Sequence, residues 1–145
     1  MTPKYVSENF WNNKKVVVTG GAGFLGTRVV ERLITLGASE VFVPRKSNYD
    51  LVNIEDVIKL LRDARPNIVI HLAAKVGGIW DNKLHPAEYF YENLMMGVQL
   101  FHNCWQEKIE KFECVGTVCS YPKYANTPFS EDELWNGYPE ETSAP

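Results

Sequence analysis

Short runs of consecutive apolar residues alternate along this chain with longer segments whose apolar residues recur every three or four positions. Lys15 to Thr19 is the first such run. Being apolar throughout rather than at every second position, it predicts a strand buried on both faces. A glycine turn follows, and Leu25, Val29, Leu33 and Leu36 then predict a helix over Phe24–Leu36, ended by Gly37. Glu40–Val43 predicts a second strand. Asn53 is placed to cap a helix carrying Val57, Ile58, Leu60 and Leu61, which stops before Pro66. Asn67–Leu72 predicts a third strand, and a loop with Gly77 and Gly78 comes next. Pro86–Glu107 predicts a long helix with Phe90, Leu94, Met95, Val98, Phe101 and Trp105 along one side, and Phe112–Thr117 a fourth strand. Strands that alternate with helices imply an α/β fold with a doubly wound parallel sheet of about four strands.

From Ser120 onward the pattern ends. Residues 120–145 hold four prolines and no helical or strand periodicity, yet carry Tyr121, Tyr124, Phe129, Leu134, Trp135 and Tyr138. That is too much apolar surface for a disordered linker, so the segment is expected to pack against something.

Composition adds limits. The 145 residues suit about one domain, and 45% hydrophobic with 23% charged residues is ordinary for a globular chain. The longest uncharged apolar stretches, residues 16–24 and 68–74, are too short to span a bilayer. Residues 1–10 lack the apolar core of a secretory signal, so neither membrane nor export is expected. Five carboxylates fall within residues 130–145; without them the net charge of −3 would become +2. No Lys/Arg run concentrates that charge, which argues against nucleic-acid binding. Cys104, Cys114 and Cys119 never form a Cys-x-x-Cys pair, so no metal site is expected. Free thiols suit the cytoplasm. Cys104 and Cys114 are expected in the core.

The most informative stretch lies between the first strand and the first helix. Gly20, Gly23 and Gly26 form Gly-x-x-Gly-x-x-Gly, the setting in which a dinucleotide pyrophosphate rests on the free amides of a helix N-terminus. A plain strand–helix turn needs one glycine, not three in register. At the end of the second strand, where a carboxylate would favour NAD, the chain reads Pro44-Arg45-Lys46-Ser47, with no carboxylate until Asp50. Two cations and a hydroxyl suit the 2′-phosphate of NADP, although a solvated basic turn would read the same way.

The glycine spacing, His71-Leu-Ala-Ala74 and Asn93 together resemble the extended short-chain dehydrogenase/reductases, the NAD-dependent epimerase/dehydratase group. Within that group, Ala73-Ala-Lys-Val-Gly-Gly-Ile79, Pro86-Ala-Glu88, Tyr91-Glu-Asn-Leu94 and Gly116-Thr-Val-Cys-Ser-Tyr-Pro-Lys123 are similar to the GDP-L-fucose synthases. The resemblance runs from about Lys15 to Pro145. It implies a Rossmann-like domain that binds NADP. The implied chemistry is epimerisation of GDP-4-keto-6-deoxy-D-mannose at C3 and C5, then reduction at C4 by NADPH. Homodimers are implied as well.

By that resemblance the cofactor would meet Gly20, Gly21, Ala22, Gly23, Phe24, Leu25 and Gly26, then Arg45, Lys46, Asp50 and Leu51. Further on it would meet Leu72, Ala73, Ala74, Lys75, Asn93, Val115 and Gly116. Thr117 takes the place of the family's Ser/Thr that hydrogen-bonds the C4 oxygen, and Cys119 that of an epimerisation acid or base. The chain departs from the family with Thr for Ser at 117 and Val for Ser at 118, and the Thr hydroxyl keeps the bond. On the residues alone, Cys119 reads as a small buried hydrophobe, Thr117 as a strand-end residue, and His71 as structural.

One element of the implied chemistry is missing from the 145 residues. None of Tyr5, Tyr49, Tyr89, Tyr91, Tyr121, Tyr124 or Tyr138 has a Lys four positions on, so there is no Tyr-x-x-x-Lys pair. In the family that pair begins shortly after a segment like residues 142–145. Residues 1–119 are therefore expected to be the N-terminal part of a cofactor domain, and residues 120–145 an active-site segment, with no substrate domain and no complete reaction. The alternatives are a non-catalytic dinucleotide-binding or assembly module, or part of another nucleotide-sugar epimerase/dehydratase.

Overall fold

The computed structural model describes residues 9–141. The segment 142–145, expected to lead into the Tyr-x-x-x-Lys pair, lies outside the described residues, as do residues 1–8. Four parallel strands, β1 (Lys15–Thr19), β2 (Glu40–Phe42), β3 (Ile68–His71) and β4 (Lys111–Cys114), pair in the order β2-β1-β3-β4. The helices are α1 (Phe24–Thr35), α2 (Ile54–Ala64), α3 (Ile79–Leu84) and α4 (Pro86–Gln106). The expected doubly wound α/β sheet is present. The described residues form two units, residues 9–74 with 94–115 and residues 75–93 with 116–141.

The first unit holds the sheet and its two apolar layers. Side chains of a strand alternate between faces, and the run Val16-Val-Val18 uses both. Val16, Val18 and Ile68 pack with Leu33 of α1. Val17 and Val69 pack on the opposite face with Val57, Leu60 and Leu61 of α2 and Met96, Leu100 and Cys104 of α4. Asn53 caps α2 as expected, its side chain accepting from the Glu55 amide at 2.9 Å. Arg65 then ends the helix in the left-handed region at φ 43°, before a proline that cannot continue it.

Three expectations change. The apolar row of α4 exists but faces outward: Trp105 is 72% exposed and Leu94, Val98 and Phe101 are about half exposed, whereas the buried face carries Met96, Gln99, Leu100, Asn103 and Cys104. Periodicity locates a stripe without saying which of two stripes meets the sheet. Cys114, expected in the core, is exposed, because β4 is an edge strand of which only Phe112 packs on the core. That strand also ends at Cys114, since its partner β3 offers only Ile68–His71 for pairing.

The second unit contains α3, where the sequence predicts only a loop; a six-residue helix is too short to show a helical period. Beyond residue 115 it forms two single 3-10 turns, Val118–Ser120 and Glu131–Glu133, and Tyr121 stacks on Phe129 with centroids 4.8 Å apart.

Candidate cofactor and active-site residues

Strand order reverses between β1 and β3, because the chain leaves β1 for β2 on one side and returns to β3 on the other. Ligands of such sheets bind at the carboxyl ends of the strands at that point. Here those ends are locked together by Thr19. Its buried hydroxyl accepts from the Leu72 and Ala73 amides at 3.2 Å each and donates to Nδ1 of His71 at 2.7 Å. Burial pushes the His71 pKa down and favours the neutral ring, and with two amides already donating to the Thr19 oxygen the hydroxyl proton is the one left to give to Nδ1. His71 is thus structural, as the sequence leads one to expect, whereas Thr19 is not among the expected site residues. Its signal was a hydroxyl ending an otherwise all-valine buried strand.

The glycine loop starts from this lock. Gly20 turns at φ +68°, and a Cβ there would lie 2.7 Å from the Ala73 nitrogen. Gly26, buried in the first turn of α1, leaves no room either, since its Cβ would lie 2.6 Å from the Gly21 Cα and closer still to the Gly20 carbonyl oxygen. Gly23 differs. A Cβ there would meet only the Gly20 oxygen, at 3.2 Å. The fold itself asks less of Gly23 than of Gly20 or Gly26, and the space over it is otherwise open. Gly23 brings no side chain to cap α1, and the first turn carries no carboxylate. Those amides and the positive end of the helix dipole fit an anionic phosphate. Ala22, Phe24 and Leu25 are exposed around the same turn, and Gly21 is buried against Val43.

Past β2, the Arg45 carbonyl accepts from the amides of Asn48 and Tyr49 at 3.0 and 2.9 Å, leaving the Arg45 and Lys46 side chains exposed on a tight turn. Lys46 lies 3.9 Å from Asp50, whose carboxylate accepts from the Val52 amide at 3.1 Å. Leu51 is buried in the core. Gln99 of α4 holds this turn, donating to the Leu51 and Val52 carbonyls at 3.2 and 2.9 Å. It was not legible as a functional position, because its partners are backbone atoms nearly fifty residues away. Val115 donates its amide to the His71 carbonyl at 3.3 Å.

In the second unit, Thr117 accepts from the Cys119 amide at 3.2 Å and so caps the turn Val118–Ser120. An accepting hydroxyl keeps its own proton to give, as the expected bond to a substrate oxygen requires. Gly116, Thr117 and Cys119 are exposed. Lys75 and Asn93, both expected at the cofactor, bind each other. The Asn93 Oδ1 accepts from the Lys75 amide at 2.7 Å, and Nδ2 donates to the Lys75 carbonyl at 3.0 Å.

Known proteins resemble this chain in sequence and fold. The GDP-L-fucose synthase of Sinorhizobium fredii is 36% identical over 132 residues, which are 91% of this chain and 42% of that protein. The GDP-L-fucose synthase of Escherichia coli is 31% identical over 92% of this chain and 42% of its own length. A solved GDP-mannoheptose C4 reductase from Campylobacter jejuni with NADP bound superimposes with a TM-score of 0.84 at 29% identity, over 91% of this chain and 42% of that one. The chain thus spans about two fifths of the length of the relatives it matches. The description of one family fits residues 16–144, nearly all of the sheet, the glycine loop and the Thr117–Cys119 segment, and the chain belongs to that family, the NAD dependent epimerase/dehydratase family.

Proposed function

We propose that this chain supplies the NADP(H)-binding part of a GDP-L-fucose synthase-type reaction, 3,5-epimerisation and NADPH-dependent 4-reduction of GDP-4-keto-6-deoxy-D-mannose. The observation that carries the reading is the space over Gly23 at an uncapped, carboxylate-free helix N-terminus, beside the point where strand order reverses. The phosphates rest on the amides of residues 24–26, and Arg45 and Lys46 take the 2′-phosphate. Residues 1–119 form the cofactor part and residues 120–145 the active-site segment. Thr117 holds the C4 oxygen, and Cys119 moves a proton at the carbon next to the ketone, where the neighbouring carbonyl makes C–H bonds acidic.

Two copies pair through the outward row of α4, Leu94, Val98, Phe101 and Trp105. That row repeats at four, three and four residues, as helix-pairing seams do, on a stretch from Asn93 to Gln106 without one charged residue. The compartment is the cytoplasm. Among the described residues no helix is long and apolar enough to cross a membrane.

A GDP-sugar C4 reductase without epimerisation is the second reading, favoured by the likeness to the C. jejuni reductase. The two differ in whether C3 and C5 exchange protons with solvent. Because the 145 residues hold no Tyr-x-x-x-Lys pair, the chain on its own binds cofactor without turning over the sugar. Titration should show NADPH binding at least tenfold tighter than NADH, with the preference gone in Arg45→Ala/Lys46→Ala. Equal affinities of the native chain for the two nucleotides would defeat the NADP assignment.

A further inference from the structure

Lys75 follows the carboxyl end of β3, where an ammonium invites assignment to a ligand phosphate, but its surroundings assign it elsewhere. Its Nζ is paired with Glu88 and lies 2.8 Å from Glu92, with the ammonium 5.4 Å from the centre of the Tyr89 ring. Its amide and carbonyl are both taken by the side chain of Asn93. Four residues on two successive turns of α4 thus converge on one residue of the loop. The carboxylates, Glu88 foremost, raise the Lys75 pKa, so the ammonium stays charged and neutralised in place.

Gly77 belongs to the same arrangement. The Tyr89 hydroxyl, hydrogen-bonded to Asp81, rests against it, and a Cβ there would lie 2.9 Å from both the Asp81 Oδ2 and the Tyr89 Cζ. The spacing Lys-x-Gly is therefore what helix residues 88, 89, 92 and 93 require of the loop. A single exposed ion pair is worth little. Here two carboxylates, a ring face and a two-bond amide clamp act on one residue, and Lys75 and Glu92 are largely covered.

We infer that Lys75 is a positioning residue. Its ammonium is committed to Glu88 and Glu92, and with Asn93 it clasps the loop 75–78 to α4, fixing the backbone there instead of binding a ligand phosphate. The inference rests on the cofactor reading only for its effect on NADPH.

The two roles predict opposite signs when the carboxylates are removed. If Lys75 met a phosphate, Glu88→Gln/Glu92→Gln would free its charge and tighten NADPH binding. As a clasp, the same variant weakens NADPH by about tenfold and raises amide hydrogen exchange at residues 75–78, and Asn93→Ala, which leaves every charge in place, does both as well. Exchange in the sheet strands reports whether each variant still folds, and Lys75→Met, which keeps the apolar stem, gives the same readout should the double variant unfold. Unchanged exchange at residues 75–78, or NADPH binding that is unaltered or tighter in the variants, would overturn the clasp. A native chain that does not bind NADPH at all would count against the cofactor reading, and the exchange measurement would still decide the clasp.

Discussion

The end of β1 and the turn at Thr117 each put a threonine hydroxyl to work, and the two threonines could hardly be used more differently. Thr19 is fully buried and its one oxygen serves three partners, two amides and an imidazole. Thr117 is exposed and accepts one amide from the turn it caps. A buried hydroxyl must satisfy its neighbours, because an amide left without a partner inside the fold costs as much as several good contacts supply. An exposed one can exchange its partner for water or substrate at little cost. The first therefore holds the carboxyl ends of β1 and β3 together, and the second remains free to change partner.

The largest effect should come from the cofactor end. Gly26→Ala puts a methyl group against the Gly20 carbonyl and Gly21 backbone, where no flexible side chain can yield. A loss of about 3 kcal/mol in denaturant unfolding is expected, together with loss of NADPH binding; a stable variant would show that the loop has slack.

Next, Thr19→Val should cost about 2 kcal/mol, because the Ala73 amide loses its acceptor and His71 its hydroxyl partner while the Leu72 amide keeps the Thr19 carbonyl, whereas Thr117→Val should cost no more than about 0.5 kcal/mol. Comparable losses at the two positions would break the contrast drawn above.

His71 tests the same lock through pH. Burial lowers its pKa in the folded chain below the ordinary 6.5, so the unfolded chain takes up the proton first as pH falls. Its contribution is complete above about pH 6.5 and is lost as the pH falls through the folded value. Unfolding free energy should fall more between pH 7 and pH 5 in the native chain than in His71→Gln.

The smallest effect is on thiol labelling. Cys114 and Cys119 are exposed and should react in the folded chain, while Cys104, 2% exposed and with its pKa pushed up to about 12 by burial, should react only on unfolding.

Much of this was legible in residue order. Gly20 and Gly26 announced the turn because the backbone there leaves no room for a side chain, and Gly23 completed the spacing. Valine runs announced β1, and Asn53 announced the start of α2, since a cap acts within three residues. What escaped the sequence depends on partners far along the chain. Gln99 matters through carbonyls at 51 and 52, and Thr19 through amides at 72 and 73. Cys114 read as core because an edge strand cannot be told from a central one by four residues of pattern. The motif around Lys75 was visible, but its meaning was not, because Glu88, Glu92 and Asn93 lie a loop and a helix away.

The sequence by itself determined the alternation of strands and helices, the glycine turn and the basic pair after β2, all set by local rules of backbone, period and charge. Tertiary structure alone decided which stripe of α4 faces the sheet, that Thr19 locks the strand ends, and that the Lys75 ammonium is bound by carboxylates instead of standing free for a phosphate. The reason is physical. Local preferences act over a few residues, while burial and hydrogen-bond partnership are properties of neighbours in space, which a linear order does not name.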